Sequence, residues 1–127
     1  MREVAFEITP KAYEKLKAFA EQAYPAEGCG VLAAGAQGVI EEVFVLENIA
    51  EEIPSRHYGI DPLQLYELEK RESQNGYGIA GFFHSHPDCA AYPSGEDEDH
   101  MIPQMLYVIA SVENGQCREI KGYMKEQ

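Results

Sequence analysis

The stretch that decides the fold is His84-Ser85-His86-Pro87-Asp88-Cys89-Ala90-Ala91-Tyr92-Pro93-Ser94-Gly95-Glu96-Asp97. It follows an apolar run, Ile79-Ala80-Gly81-Phe82-Phe83, that is typical of a buried strand. Because side chains alternate between the two faces of a strand, His84 and His86 should point the same way at its end. Asp97 follows eleven residues after His86. Two imidazoles and one carboxylate form a three-ligand set that leaves the fourth position of zinc open for water, as in catalytic zinc sites.

This spacing has a second interpretation that the residues themselves leave open. A His-x-His pair at a strand end also occurs as core or surface histidines without a metal. Ser94 stands three residues before Asp97, where a serine commonly caps the start of a helix. The spacing alone therefore favours neither a metal site nor a purely structural loop.

The composition predicts a globular α/β protein. The chain has 127 residues, 45% of them hydrophobic, which fits one domain over residues 1–127. Three cysteines without close spacing argue against a disulfide framework and favour a reducing, cytoplasmic setting. The first twenty residues show no signal-peptide pattern, and no apolar run approaches the ~20 residues that span a bilayer. The net charge of −12 disfavours nucleic acid and anionic membranes as partners.

Helical and strand periodicities alternate along the chain. Proline after a polar cap marks two helix starts, at Thr9-Pro10 and Asp61-Pro62. Buried faces are expected from Tyr13, Leu16, Phe19, Ala20 and Ala23 in the first helix, and from Pro62, Leu65, Leu68 and Glu69 in the second. Strands are predicted at 3–8, 27–34, 39–47, 57–60, 79–86, 106–110 and 118–124, with a loop at 48–56 and a short helix at 94–102. The order predicts a mixed β-sheet flanked by helices.

The pattern His84-x-His86, seven residues, then Ser94-x-x-Asp97 resembles the signature of the JAMM (MPN+) metallopeptidases of the prokaryotic single-domain type. An early-strand glutamate followed by glycine and apolar residues completes that signature, and Glu27-Gly28-Cys29-Gly30-Val31-Leu32 fits it. The order of elements also resembles the family along nearly the whole chain. The resemblance implies an MPN (JAMM) domain with a cytidine-deaminase-like layout.

The resemblance further implies a role for each residue of the signature. His84, His86 and Asp97 would bind one Zn²⁺ per chain, Glu27 would act as general base, and the Ser94 hydroxyl would stabilise an oxyanion. Without the family pattern, Glu27 could not be chosen over Glu41 or Glu47. The residues alone therefore leave the base open.

The implied activity is that of a zinc-dependent peptidase or isopeptidase. It would hydrolyse an amide bond after the C-terminal Gly-Gly tail of a ubiquitin-like or sulfur-carrier protein. The alternative is a non-catalytic MPN scaffold for protein assembly. A nucleobase deaminase is rejected because it requires His-x-Glu and Pro-Cys-x-x-Cys, and this sequence has neither at the site. The substrate and the oligomeric state, a homodimer included, are left open.

Other reactive side chains receive structural interpretations. Cys29 and Cys89 are expected to be small buried hydrophobes, and His100 to be a partly exposed helix residue. His57 belongs to no recognisable pattern. Ser85 should face the side of the strand opposite the two histidines, so it is not expected to be a nucleophile.

Overall fold

The computed structural model describes residues 1–49 and 59–126. In this part of the chain, two helices longer than ten residues and one short helix accompany a six-stranded sheet. The elements in chain order are β1 (Arg2–Val4), α1 (Pro10–Ala23), β2 (Cys29–Ala34), β3 (Ile40–Leu46), α2 (Pro62–Gln74), β4 (Gly78–Pro87), α3 (Gly95–His100), β5 (Leu106–Glu113) and β6 (Gln116–Met124).

The sheet is mixed, as the sequence predicted. Its strand order is β1-β6-β5-β4-β2-β3. Neighbouring strands are antiparallel, except that β4 and β5 run parallel. Both β4 and β5 are central strands, and their buried positions explain why they read as nearly continuous apolar runs.

Helix α1 covers one face of the sheet. Thr9 caps it by accepting a hydrogen bond from Ala12 N at 3.1 Å, and Pro10 occupies its first turn. Its buried residue Leu16 packs in a core with Leu32 and Phe83. Phe83 belongs to β4, so this core fixes β4 against α1.

Helix α2 lies on the opposite face. Phe44, Val31 and Phe82 are paired across β3, β2 and β4, so they share one face of the sheet. The Arg71 guanidinium of α2 lies 5.9 Å from the centre of the Phe44 ring on that face. The sheet therefore has helices on both sides, which confirms the expected architecture.

The first strand is shorter than predicted. Strand β1 covers Arg2–Val4, so of the expected span 3–8 only Glu3 and Val4 pair with β6. The chain then crosses to the other edge of the sheet, where Ile40 N donates to Glu7 O and Thr9 N donates to Ile40 O. A period-two pattern cannot distinguish one strand from such a crossing, because both are extended.

The predicted helix faces need two corrections. In α1 the buried positions are Ala12, Leu16 and Ala20, whereas Tyr13 is exposed. In α2 they are Leu68 and Glu72, whereas Pro62 and Glu69 are exposed. Ala12 is small, which allows α1 to pack closely against the sheet. Tyr13, which was expected to be buried, lies outside the buried face of the helix.

The remaining boundaries shift by a few residues. Helix α3 ends at His100 rather than reaching Ile102, and β5 continues beyond Ala110 to Glu113. The Asn114-Gly115 turn of the β5–β6 hairpin is confirmed, with both residues at positive φ. The predicted loop at 48–56 and strand at 57–60 fall mainly outside the described residues, and residues 59 and 60 form no strand. Within the described ranges, no helix combines the length and apolarity needed to cross a membrane.

Candidate metal centre

Strand β4 delivers two imidazoles to one face of the sheet. Cys29 of β2 pairs with His84, and His86 lies two positions further along the same strand. His84 is 1% exposed and His86 is 8% exposed. Their rings lie 5.0 Å apart between centres, as the alternation of side chains predicts.

Three ligand-type atoms converge beside these rings. The two Nε2 atoms of His84 and His86 are 3.1 Å apart. The Oδ2 atom of Asp97 lies 3.3 Å from His84 Nε2 and 3.0 Å from His86 Nε2. The structure therefore brings together all three residues that the sequence assigned to metal binding.

A backbone carbonyl fixes the tautomer of His86. Its Nδ1 lies 2.9 Å from Ala90 O, and an imidazole nitrogen facing a carbonyl oxygen must carry the proton. The neutral ring then presents the lone pair of Nε2 to the site, as a metal ligand requires.

Helix α3 aims Asp97 at the two rings. Its first turn is a capping box: Asp97 N donates to Ser94 Oγ at 3.0 Å, and Ser94 N donates to Asp97 Oδ2 at 2.9 Å. Ser94 therefore has the capping role that its spacing suggested. Its hydroxyl hydrogen is not used in that contact, since the oxygen acts there as an acceptor.

The site shifts the pKa values of its three donor residues in different directions. Burial lowers the pKa of His84, and the Asp97 carboxylate offsets only part of this effect. Burial also opposes the charged form of His86, but hydrogen bonds with Asp97 and Ala90 O outweigh it and raise its pKa. For Asp97, burial raises the pKa, yet the contacts with both imidazoles prevail and hold it well below its usual range. Asp97 is therefore an anion, and His84 a neutral base, at neutral pH.

Glu27 lies buried beside the same cluster. It is 5% exposed, and carboxylate and imidazole atoms of Glu27, His84 and His86 all lie within 4.8 Å of one another. Glu27 stands two residues before Cys29, where β2 begins, so the predicted strand start at residue 27 is two residues too early. Continued alternation from Cys29 would direct the Glu27 side chain to the face of His84. Of the three glutamates that the sequence left open, Glu41 and Glu47 are exposed.

The donor set fits a divalent cation such as zinc. Donor atoms about 2.0–2.2 Å from a tetrahedral zinc ion lie roughly 3.3–3.5 Å from one another. The three observed separations are 3.0, 3.1 and 3.3 Å. Two nitrogens, one carboxylate oxygen and a buried carboxylate alongside match the chemistry of a catalytic rather than a structural site.

A pocket of about 410 Å³ opens onto these groups. Its polar side is formed by Glu27, His86, Ser94 and Asp97, and its other wall by Pro87, Cys89, Ala90 and Tyr92. Cys89 is exposed, which corrects the expectation that it would be buried. The loop between the ligands turns outward here, a feature that residue type alone could not indicate.

The other structural expectations fare better. Cys29 is buried, and burial followed by the nearby charge of Glu27 raises the pKa of its thiol to about 12. His100 is an exposed helix residue whose Nδ1 lies 2.8 Å from Glu96 O. His57 lies outside the described residues.

Two hydrogen bonds that hold the site in place were not predicted from the sequence. The Tyr123 hydroxyl of β6 donates to Ala91 O at 2.5 Å and so anchors the loop between the ligands. Asn48 Nδ2 donates to Glu27 O at 2.9 Å. Both contacts join residues more than twenty positions apart, and no local pattern marks them.

Comparison with solved structures defines the class of fold. A protein from Desulfitobacterium hafniense, solved in solution, superposes with a TM-score of 0.83 at 32% identity, over 97% of this chain and 86% of that one. A JAB1/MPN domain protein from Archaeoglobus fulgidus gives a TM-score of 0.62 at 19% identity, over 94% and 89% of the two chains.

Sequence comparison gives the family. Residues 9–121 match the family model described as prokaryotic homologs of the JAB domain. The chain belongs to this prokaryotic JAMM/MPN family.

Two curated relatives extend the comparison. A desampylase of Haloferax volcanii is 33% identical over 89 residues, which cover 68% of this chain. A probable TtuB-protein conjugate cleaving protease of Thermus thermophilus is 31% identical over 96 residues, which cover 76%. In both cases the match spans 63% of the relative's own length.

Proposed function

We propose that this chain is a zinc-dependent peptidase that acts on conjugates of a ubiquitin-like or sulfur-carrier protein. It would hydrolyse the amide bond that follows the C-terminal Gly-Gly tail, with one Zn²⁺ held by His84, His86 and Asp97. The observation that carries the proposal is the convergence of those three donors next to the buried carboxylate of Glu27. The names of the two relatives support the substrate class.

The metal would contribute Lewis-acid chemistry, and the three donor residues would hold it in place. When bound, it would supply a Lewis acid that polarises a carbonyl and lowers the pKa of water toward ~7. His84 and His86 would hold it as neutral bases, and Asp97 as an anion. Burial favours the neutral form of His84, and contacts with the imidazoles favour the anion of Asp97. The raised pKa of His86 means that metal binding would compete with protonation of that ring.

Glu27 would move the proton. Glu27 is buried, one of its carboxylate oxygens lies within 4.8 Å of a ring nitrogen of each histidine, and it lines the pocket where an amide must enter. It would take a proton from the attacking water and give it to the departing amine. This assignment rests on geometry that Glu41 and Glu47, both exposed, do not share.

Ser94 would stabilise the developing oxyanion. Its oxygen already accepts a hydrogen bond from Asp97 N, which orients the hydroxyl at the edge of the pocket. The hydroxyl hydrogen can then donate to the carbonyl oxygen of the substrate. One such donor typically contributes ~3–4 kcal/mol to stabilisation of the transition state.

Two broader features complete the proposal. Residues 1–127 would act as one domain, since the family model covers most of the chain. The three cysteines form no disulfide, which supports a reducing, cytoplasmic setting.

The test is cleavage of a sulfur-carrier protein ending in Gly-Gly and joined to a lysine side chain through an amide bond. We expect mass spectrometry to detect release after the last glycine, loss of activity with a chelator, and recovery with Zn²⁺. Glu27→Gln should lower kcat by about 10²–10⁴-fold, the usual value of a general base. Glu47→Gln is the matched control and should retain full activity.

Two outcomes would count against the proposal. Undiminished cleavage by Glu27→Gln would show that Glu27 is not the proton shuttle. Cleavage that resists a chelator would show that the reaction does not need a metal. The scaffold alternative makes a different prediction, because a non-catalytic domain should purify without a stoichiometric metal and should not cleave the conjugate.

A further inference from the structure

Ser85 stands between the two histidine ligands but belongs to the other side of the sheet. It is 1% exposed, and its neighbours His84 and His86 face the metal centre. Alternation along β4 therefore turns its hydroxyl toward α1 and away from the pocket. Its partner there is the main chain of Gly28.

Ser85 clamps Gly28 with two hydrogen bonds. Ser85 N donates to Gly28 O at 2.9 Å, and Gly28 N donates to Ser85 Oγ at 2.8 Å. A regular antiparallel pair exchanges two bonds between backbone groups, whereas here the second bond goes to a side-chain hydroxyl. The orientation of Gly28 therefore depends on the identity of residue 85.

Gly28 also packs closely against α1, on the side where the Ser85 hydroxyl lies. A Cβ atom at this position would lie only 2.8 Å from Ala23 Cβ of α1 and 3.5 Å from Ser85 Oγ. The peptide between α1 and β4 thus has little room to move. The residue directly before it is Glu27, whose carbonyl is held by Asn48 Nδ2 at 2.9 Å.

We infer that Ser85 is a positioning residue for the proton shuttle: it holds the Glu27-Gly28 segment in fixed register with the strand that carries the metal ligands. The inference rests on the proposed function of Glu27. One short segment of β4 then serves both halves of the site, with the histidines placing the metal on one face and the serine placing the carboxylate from the other.

The test is a double-mutant cycle with Ser85→Ala and Glu27→Gln, assayed as kcat, KM and Zn²⁺ affinity. Ser85→Ala should lower kcat about tenfold, the effect of losing one orienting hydrogen bond. KM and Zn²⁺ affinity should change less than about twofold, because the histidines face away from the hydroxyl. In the Glu27→Gln background the same substitution should have no further effect on kcat, since the group that it positions is already lost.

Two further variants separate positioning from general destabilisation. Thr9→Ala removes an equivalent bond, from Ala12 N to a side-chain hydroxyl, at a site that does not touch Gly28, and it should leave kcat unchanged. Ser85→Thr keeps the hydroxyl and should restore most of kcat. The inference is overturned if Ser85→Ala keeps full kcat, or if it lowers kcat equally in both backgrounds. If Glu27→Gln itself keeps full activity, the proposed function fails first.

Discussion

The buried polar side chains of this protein concentrate around one point. Among the described residues, six polar or charged side chains are buried, and four of them are Glu27, His84, Ser85 and His86. Burying such groups is costly unless they are hydrogen-bonded or bind a ligand. Spacing predicted only that the two histidines share a strand face and that Ser94 caps a helix containing Asp97, because strand alternation and capping are local. The assignment of the histidines and Asp97 as metal ligands came from the resemblance to the family signature. Glu27 could not be predicted from spacing, since nothing local separates it from other acidic residues.

Substitution can separate the helix cap formed by Asp97 from its proposed role as a metal ligand. Asp97→Asn keeps an oxygen that can accept from Ser94 N, but it removes the negative charge beside the imidazoles. We expect Zn²⁺ affinity to fall by more than the roughly 10–100-fold cost of losing an outer partner of a ligand. Competition with a chromophoric chelator measures this effect.

The unfolding midpoint of the metal-free protein is the control for Asp97→Asn. It should remain close to that of the unsubstituted protein, because the capping box survives. Zn²⁺ affinity within twofold of the unsubstituted protein would argue that Asp97 is not a ligand.

The cysteines should differ sharply in reactivity. Burial and the charge of Glu27 raise the pKa of Cys29 to about 12, so at pH 8 its thiol stays protonated and shielded. Cys89 is exposed at the pocket. Brief alkylation of the native protein at pH 8, followed by peptide mapping, should therefore modify Cys89 and spare Cys29. Equal labelling of both residues would contradict the burial of β2.

At the scale of the element, start signals were more informative than apolar periodicity. Both long helices begin where a polar cap precedes proline, at Thr9 and Asp61. Their buried faces were less predictable, because Ala12 and Glu72 are buried while larger apolar residues nearby are exposed. Packing against a particular sheet decides which side of a broad stripe is covered. Local sequence does not contain that information.

The cap of α1 should contribute measurably to stability. Thr9→Ala removes the acceptor for Ala12 N and should lower the free energy of unfolding by about 1 kcal/mol. Thr9→Ser keeps the hydroxyl and should cost only a few tenths of that amount. Urea unfolding followed by circular dichroism measures both variants. Equal stability of the alanine and serine variants would show that the cap contributes nothing.

The molecule as a whole is strongly acidic, with a net charge of −12. Its fold class could be predicted because the order of strands and helices, the central apolar strands and the site motif all agree. The crossing of residues 5–8 between opposite sheet edges could not, since it depends on contacts between distant segments. We expect a charge of this size to favour solubility and, if the partner is basic, to attract it.

Salt should therefore affect binding of a basic substrate. For a conjugate whose attached protein is basic, we expect KM to rise with ionic strength while kcat stays constant. A neutral peptide with the same Gly-Gly tail serves as the control, and its KM should not change. If the KM of both substrates is independent of salt, electrostatic attraction does not contribute to substrate recognition.

The proposed function depends above all on the sharing of one metal ion by His84, His86 and Asp97. Anomalous diffraction at the zinc edge, from crystals grown with Zn²⁺, tests it most directly. We expect a single strong peak about 2.0–2.2 Å from both histidine Nε2 atoms and from a carboxylate oxygen of Asp97. A saturated crystal with no peak there, or with a peak bound by only one of the three residues, would contradict it.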